Sequence, residues 1–283
     1  YFLNDFATFL ILFIAAEVLF SLAAFKIYKT KIKDQQKKLL IAASALLFSL
    51  VFIFVAAEAY FRYVYDVSDG LGFLKINKKW AERHVVYNNY FYRDRDFESA
   101  KKEGTIRIGV LGDSIAWGGG IENPQDRFSN ILEKKLKNAG KNVEIYNLGR
   151  PGYDTEQQTE EFENIRHLNF DLVIWEYFLN DIQPSIKSTG TRIIEINRDL
   201  PPYITFFTNQ SYFLDYLYWR ISPKHQKTFE QLRTADILQY ENEAILKNHK
   251  ERISNFIRSF ETTDTKILVV IFPLISPLGP DYP

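Results

Sequence analysis

Residues 105–121 read TIRIGVLGDSIAWGGGI, and the fold is decided there. Ile106 to Leu111 is a short apolar run bounded by Gly104 and Gly112, the profile of a buried strand in a parallel sheet. The run stops at Gly112-Asp113-Ser114, and a loop with Gly118, Gly119 and Gly120 follows. Phe128, Ile131, Leu132 and Leu136 then recur at helical spacing. A serine on the turn at the carboxyl end of such a strand points into the crevice where open α/β sheets bind ligands. Asp-Ser is also a common turn pair, so its meaning depends on the rest of the chain.

Downstream, strand and helix alternate, which predicts a parallel α/β sheet. The second strand is Val143 to Tyr146, followed by Asn147-Leu148-Gly149-Arg150-Pro151-Gly152-Tyr153-Asp154-Thr155 and a polar helix to about His167. Asp154 or Thr155 is positioned to cap that helix. The third strand, Asp171 to Tyr177, ends in Phe178-Leu179-Asn180-Asp181, and the fourth, Lys266 to Phe272, ends at Pro273. A crossover needs only about a dozen residues, so residues 183–262 read as an insertion. Its aromatic part (Tyr203, Phe206, Phe207, Tyr212, Phe213, Tyr216, Tyr218, Trp219) is expected to pack as core, with sugar stacking as the alternative.

Upstream, Phe6 to Phe25 carries one charge, Glu17, and Leu39 to Tyr60 carries one, Glu58. Each is about the length that crosses a hydrocarbon core of roughly 30 Å at about 1.5 Å per residue. The sequence therefore predicts a transmembrane hairpin over residues 1–60, with spans about 6–25 and 39–60. Lys26 to Lys38 between them holds six lysines and one aspartate. The positive-inside rule places that loop in the cytoplasm and everything after Tyr60 outside. Glu17, mid-membrane, is expected to be protonated and hydrogen-bonded to Ser44 or Ser49, although a functional role is the standing alternative. Residues 61–104 read as a juxtamembrane connector. Within it Asn88-Asn89 marks a turn, Arg93-Asp94-Arg95-Asp96 reads as a solvated charge run with local pairs, and His84 reads as a surface or structural histidine rather than a ligand. Residues 105–283 form the α/β domain.

The chain has 283 residues and a formal net charge of zero, so no nucleic-acid partner is expected. It has no cysteine, which excludes disulfides and thiolate metal sites. It also has no methionine, and PLISPLGPDYP stops just after an apolar strand where a further element is expected, so the sequence is expected to be a piece clipped at both ends. No cofactor and no metal are expected. The glycines around Ser114 have neither of the spacings that cradle phosphates, GxxxxGK[ST] or GxGxxG.

Three strand ends thus bring a hydroxyl (Ser114), an approachable backbone N–H (Gly152) and an amide side chain (Asn180) to one edge of the sheet. These are the parts for acyl transfer through a tetrahedral intermediate. GDS at 112–114, the glycine of NLGRPGYDT and the ND of FLND resemble the first three blocks of the SGNH, or GDSL, hydrolase family, over Thr105 to Pro273. The NNYFYRD lead-in and the Gly118–Gly120 turn are similar to membrane-tethered bacterial members. The resemblance implies a three-layer α/β/α, flavodoxin-like fold and a serine ester hydrolase or O-acyl transferase. It makes Ser114 the nucleophile, and Ser114 N–H, Gly152 N–H and the Asn180 side chain the oxyanion hole.

Two departures stand out. Phe178 occupies the place where the family's third block often has glycine, and the Asp-x-x-His of the fourth block occurs nowhere in the chain. His84, His167, His225 and His249 are poor substitutes, so the general base is expected beyond Pro283 and the chain as given is expected to turn over scarcely at all. The expected partners are a lipid bilayer and an acyl ester of a carbohydrate or lipid, with the catalytic domain extracytoplasmic. The competing reading is a non-catalytic module on the same fold that binds a glycan or a partner.

Overall fold

The structure, a computed structural model, describes residues 2–30, 33–70, 72, 74–182, 201–222 and 234–273. The chain opens with helices α1 (Phe2–Lys29) and α2 (Asp34–Ala59), which pack on one another. A π-helical turn, Tyr60–Val64, extends the second. The continuous helix Asp34–Val64 has 31 residues and a mean hydropathy of 2.8 in its most apolar window, none of it buried. It is long and apolar enough to cross a membrane. Ser49 Oγ donates to Ala45 O on its own helix at 2.9 Å, and the side chain of Glu17 lies outside the described residues. Backbone contacts divide the chain into two compact units. Tyr1–Asp66 together with Pro201–Tyr218 makes one, and Val67–Leu200 with Trp219–Pro283 makes the other.

The second unit carries α3 (Ile76–His84) and a parallel sheet of β1 (Ile106–Leu111), β2 (Val143–Asn147), β3 (Leu172–Phe178) and β4 (Lys266–Phe272). The strand order is β2-β1-β3-β4 with every neighbouring pair parallel, which is the α/β class read from the sequence. Side chains alternate between two cores, as the period of two in a strand requires. Ile108, Val110, Ile145 and Ile174 face Phe128, Leu132 and Leu136 of α5 (Phe128–Asn138). Leu111, Val173 and Trp175 face the other way, toward Phe162 of α6 (Thr155–Ile165) and Phe256 and Phe260 at the end of the insertion. α6 begins at a full capping box in which Asp154 accepts from Glu156 N and Gln157 N, and the Gln157 side chain returns to Asp154 N.

The described part of the insertion is helical: α7 (Pro202–Gln210), α8 (Tyr212–Ile221), a stretch over 234–241, and α9 (Glu243–Arg258). The aromatic residues read as core split in two. Trp219 is buried, whereas Tyr203, Phe206 and Phe207 are 66%, 62% and 54% exposed.

The charge run 93–96 is corrected at its first half, since Arg95 and Asp96 are exposed but Arg93 and Asp94 are not. Arg93 is 1% exposed, and its guanidinium donates to His84 O, Gly118 O and Ile121 O at 3.1, 2.7 and 2.5 Å. The indoles of Trp80 and Trp117 flank it at 5.1 and 4.9 Å. Asp94 accepts from Asn147 N at 2.8 Å and pairs with buried Arg127 at 3.2 Å. Arg95 forms two bonds to Glu133, at 2.8 and 3.0 Å. The physical reason lies elsewhere in the chain: the loop 117–122 leaves main-chain carbonyls pointing inward, and only arginine offers five N–H groups to satisfy them.

Candidate active site

β1 lies between β2 and β3, so the loops that follow these three strands emerge side by side at the carboxyl edge. Ser114 is the first residue of α4 (Ser114–Trp117), and Asp113 caps that turn by accepting from Ile115 N at 2.8 Å. Gly152 lies in the turn after β2 with φ 76°, a conformation open to glycine without a Cβ penalty. Asn180 lies in the 3₁₀ turn Leu179–Ile182 after β3. Ser114 and Asn180 are half-buried and Gly152 is exposed.

Main-chain and side-chain bonds lace the three loops together. Arg150 N donates to Gly112 O at 3.0 Å, and Asn147 Nδ2 donates to Ala116 O at 2.6 Å. Gly149 sits flush on the helix of Ser114: a Cβ there would stand 2.3 Å from Trp117 N. Thr155 Oγ1 donates to Asp181 O at 3.2 Å, and fully buried Gln158 bridges Asp181 Oδ1 (2.8 Å) and Trp175 Nε1 (2.7 Å). The peptide N–H of Phe178 donates to Asp181 Oδ2 at 2.8 Å, fixing the turn that carries Asn180. Phe178 is the last residue of β3.

Beneath these loops lies a feature that sequence reading missed. Asp113, Glu176 and Asp181 are 1%, 0% and 1% exposed. Glu176 Oε2 accepts from Asp113 N at 3.1 Å, and the side chains of Asn180, Glu176 and Ser114 surround the Asp113 carboxyl. Asp113 Oδ2, Glu176 Oε1 and Asn180 Oδ1 are buried without a well-formed hydrogen bond among the described residues. Three ionised carboxylates cannot share so small a dry volume. Burial, and then the Asp113 charge, push Glu176 up to about 8, so it holds a proton at neutral pH. Burial also raises Asp113 and Asp181, the latter well above the carboxylate range with the charges of Asp113 and Glu176 adding to the effect. A lone Glu at the end of an apolar strand was the signal available, but the sequence does not show what lies over it.

The histidines stand apart from this cluster. His249 is 2% exposed on α9 and its Nε2 lies 2.6 Å from Tyr177 Oη. Tyr177 Oη is 2.6 Å from Tyr240 Oη, which donates to Leu179 O at 3.1 Å. With that last proton assigned, Tyr177 donates to Tyr240 and a neutral His249 donates from Nε2. Burial, reinforced by Arg252, lowers His249 to about 4. It props the carbonyl next to Asn180. His167 is exposed and bonds Asn164 O at 3.1 Å. His84 stacks on Trp80 at 5.8 Å. His225 lies outside the described residues.

No protein-family model matches the sequence, and none of the curated proteins does. Among solved structures the chain is similar to AlinE4, a SGNH-hydrolase family esterase, with 16% identity and a TM-score of 0.28 over 60% of this chain and 77% of that one. A mutant of the esterase AlinE4 matches with 16% identity, the same coverage and a TM-score of 0.27.

Proposed function

We propose that this protein is a membrane-anchored, extracytoplasmic serine ester hydrolase or O-acyl transferase acting on acyl esters of carbohydrate or lipid. One observation carries the reading. A half-buried Ser114 and Asn180 flank a buried Asp113 at the carboxyl edge of adjacent parallel strands, with the exposed N–H of Gly152 on the neighbouring loop. Ser114 Oγ attacks the acyl carbonyl, and Ser114 N–H, Gly152 N–H and the Asn180 amide take the oxyanion. The alcohol leaves with the serine's proton, passed by a base, and water or an acceptor hydroxyl then releases the acyl group from Ser114. The base comes from outside the described residues, since His249 is committed to Tyr177. α1 and α2 form the hairpin, with the lysine-rich turn between them on the cytoplasmic side.

The test is intact-mass analysis of the full-length protein after reaction with a fluorophosphonate, beside its Ser114→Ala variant. One adduct per chain, lost in the variant, is expected. An Asn180→Ala variant should hydrolyse an activated acetyl ester about 10²–10³-fold more slowly at saturation, the usual cost of one oxyanion donor. A folded protein that takes up no adduct would instead be a binding module. That second reading is favoured by one fact: among the described residues no hydrogen bond joins Ser114 to a histidine.

A further inference from the structure

Helix α7 is amphipathic in the wrong sense for a water-facing helix. Tyr203, Phe206 and Phe207, at i, i+3 and i+4, form one stripe, and all three are more than half exposed. The opposite face is polar yet covered: Thr208 is 6% exposed and donates to Ile204 O at 3.0 Å, and Ser211 just beyond the helix is 5% exposed.

The C-terminal end of α7 is fastened to α2 within the same compact unit. Fully buried Glu58 accepts from Ser211 Oγ at 2.6 Å, Tyr212 N at 3.1 Å and Phe213 N at 3.0 Å. Its carboxylate thus sits on the N-terminus of α8, where the helix dipole favours negative charge. Arg62 completes the clasp, with Nε 3.0 Å from Glu58 Oε1 and Nη2 2.9 Å from Gln210 O. Phe61 stacks at 4.4 Å on Tyr216 and lies 5.6 Å from Phe213.

The depth of the clasp follows from helix geometry. From Leu39 to Glu58 an α-helix rises about 29 Å, close to the roughly 30 Å of a hydrocarbon core. Leu39, Leu46, Leu50 and Ile53 point outward along that length, each more than half exposed. Glu58 therefore falls at the far boundary of the bilayer, where tyrosine and other amphipathic aromatics concentrate in membrane proteins.

We infer that α7 is an interfacial helix: its Tyr203–Phe206–Phe207 stripe lies in the headgroup layer of the bilayer that α2 crosses. This rests on the membrane-anchored reading above and adds a second, in-plane contact to it. Such a contact needs only one apolar face against the acyl boundary. A helix of nine residues presents it over about 13 Å.

The chain has no cysteine, so single-cysteine variants report on single positions. Phe206→Cys and Leu50→Cys in the full-length protein, labelled with an environment-sensitive fluorophore, would be reconstituted at low density in phosphatidylcholine–phosphatidylglycerol vesicles. These vesicles would carry nitroxide-labelled lipids, with the spin label either near the headgroup or deep in the acyl chain. The expected pattern is loss of fluorescence at 206 mainly with the shallow quencher and at 50 mainly with the deep one. Quenching at 50 but not at 206 would overturn the interfacial helix and leave the anchor standing, with water, a second copy or another protein covering the stripe. Quenching at neither 50 nor 206 would overturn both readings.

Discussion

Glu176 holds the turn of Ser114 from below while carrying a proton that a free carboxyl would have lost. Its ordinary value of 4.5 rises to about 8 in the fold, so folding takes up a proton and the sign of the linkage is fixed. The stability it contributes is fully present below about 4.5 and is lost as pH rises through about 8. Glu176→Gln copies the protonated form and keeps an acceptor for Asp113 N. Thermal melts between about pH 5 and 9 should show the wild type falling with pH and the variant falling less, at most about 1.4 kcal/mol per pH unit. Equal slopes would remove the protonated glutamic acid from the account. Arg93 poses the opposite problem, a charge with carbonyls for company. Arg93→Met takes the guanidinium donors away from the carbonyls of His84, Gly118 and Ile121, at roughly 1–3 kcal/mol for each oxygen left unpaired. Denaturant titration should place Arg93→Lys between wild type and Met, since an ammonium reaches some of those oxygens but cannot span them.

Among the elements, the loop after β2 makes the sharpest contrast, because two glycines three residues apart are needed for different reasons. Gly149 is pressed on backbone, with Trp117 N 2.3 Å and Ala116 C 2.7 Å from a notional Cβ. Gly152 has open space but a left-handed φ of 76°. Gly149→Ala should therefore cost about 1–3 kcal/mol by overpacking and displace the helix of Ser114, which on the proposed esterase reading lowers turnover. Gly152→Ala should cost about 1–2 kcal/mol of backbone strain while keeping its N–H. Gly152→Asn should recover much of that loss, because asparagine tolerates the left-handed region; Gly149→Asn should recover nothing. Melts and ester turnover on the four variants would check this. The strands could be read in advance because each is a local event, an apolar run closed by glycine, proline or a polar turn. β1 through β4 accordingly start and stop within a residue or so of the expected positions. Of the two candidate caps, Asp154 and Thr155, the structure selects Asp154 and adds a capping box with Gln157. The burial of Arg93 could not be read, because its partners are carbonyls up to 29 residues away and RDRD is spelled alike on a surface and in a core. The carboxyl cluster hid for the same reason: Asp113, Glu176 and Asp181 meet only once the sheet has formed.

At the scale of the whole molecule, the sequence predicted both a membrane part and a parallel α/β part. What it could not show is that residues 201–218, far downstream, belong with the first 66. The alternation of apolar and polar residues says that a helix has two faces, but not which neighbour each face meets. Exposure of Phe206 and burial of Thr208 on one short helix reverse the arrangement that composition alone favours.

That shared unit bears on how the protein is handled. The usual way to obtain a soluble enzyme from an anchored one is to cut the anchor away and keep the rest. Here a chain beginning at Val67 would lose Glu58, Phe61 and Arg62, the groups that hold residues 210–216. Phe213, Tyr216 and the covered side of α7 would become bare, next to a stripe that is already apolar. Size-exclusion chromatography should find that product aggregated, and removal of residues 201–218 along with the anchor should restore monodispersity. On the membrane-anchored reading, the anchor also shelters a segment that follows it by some 140 residues.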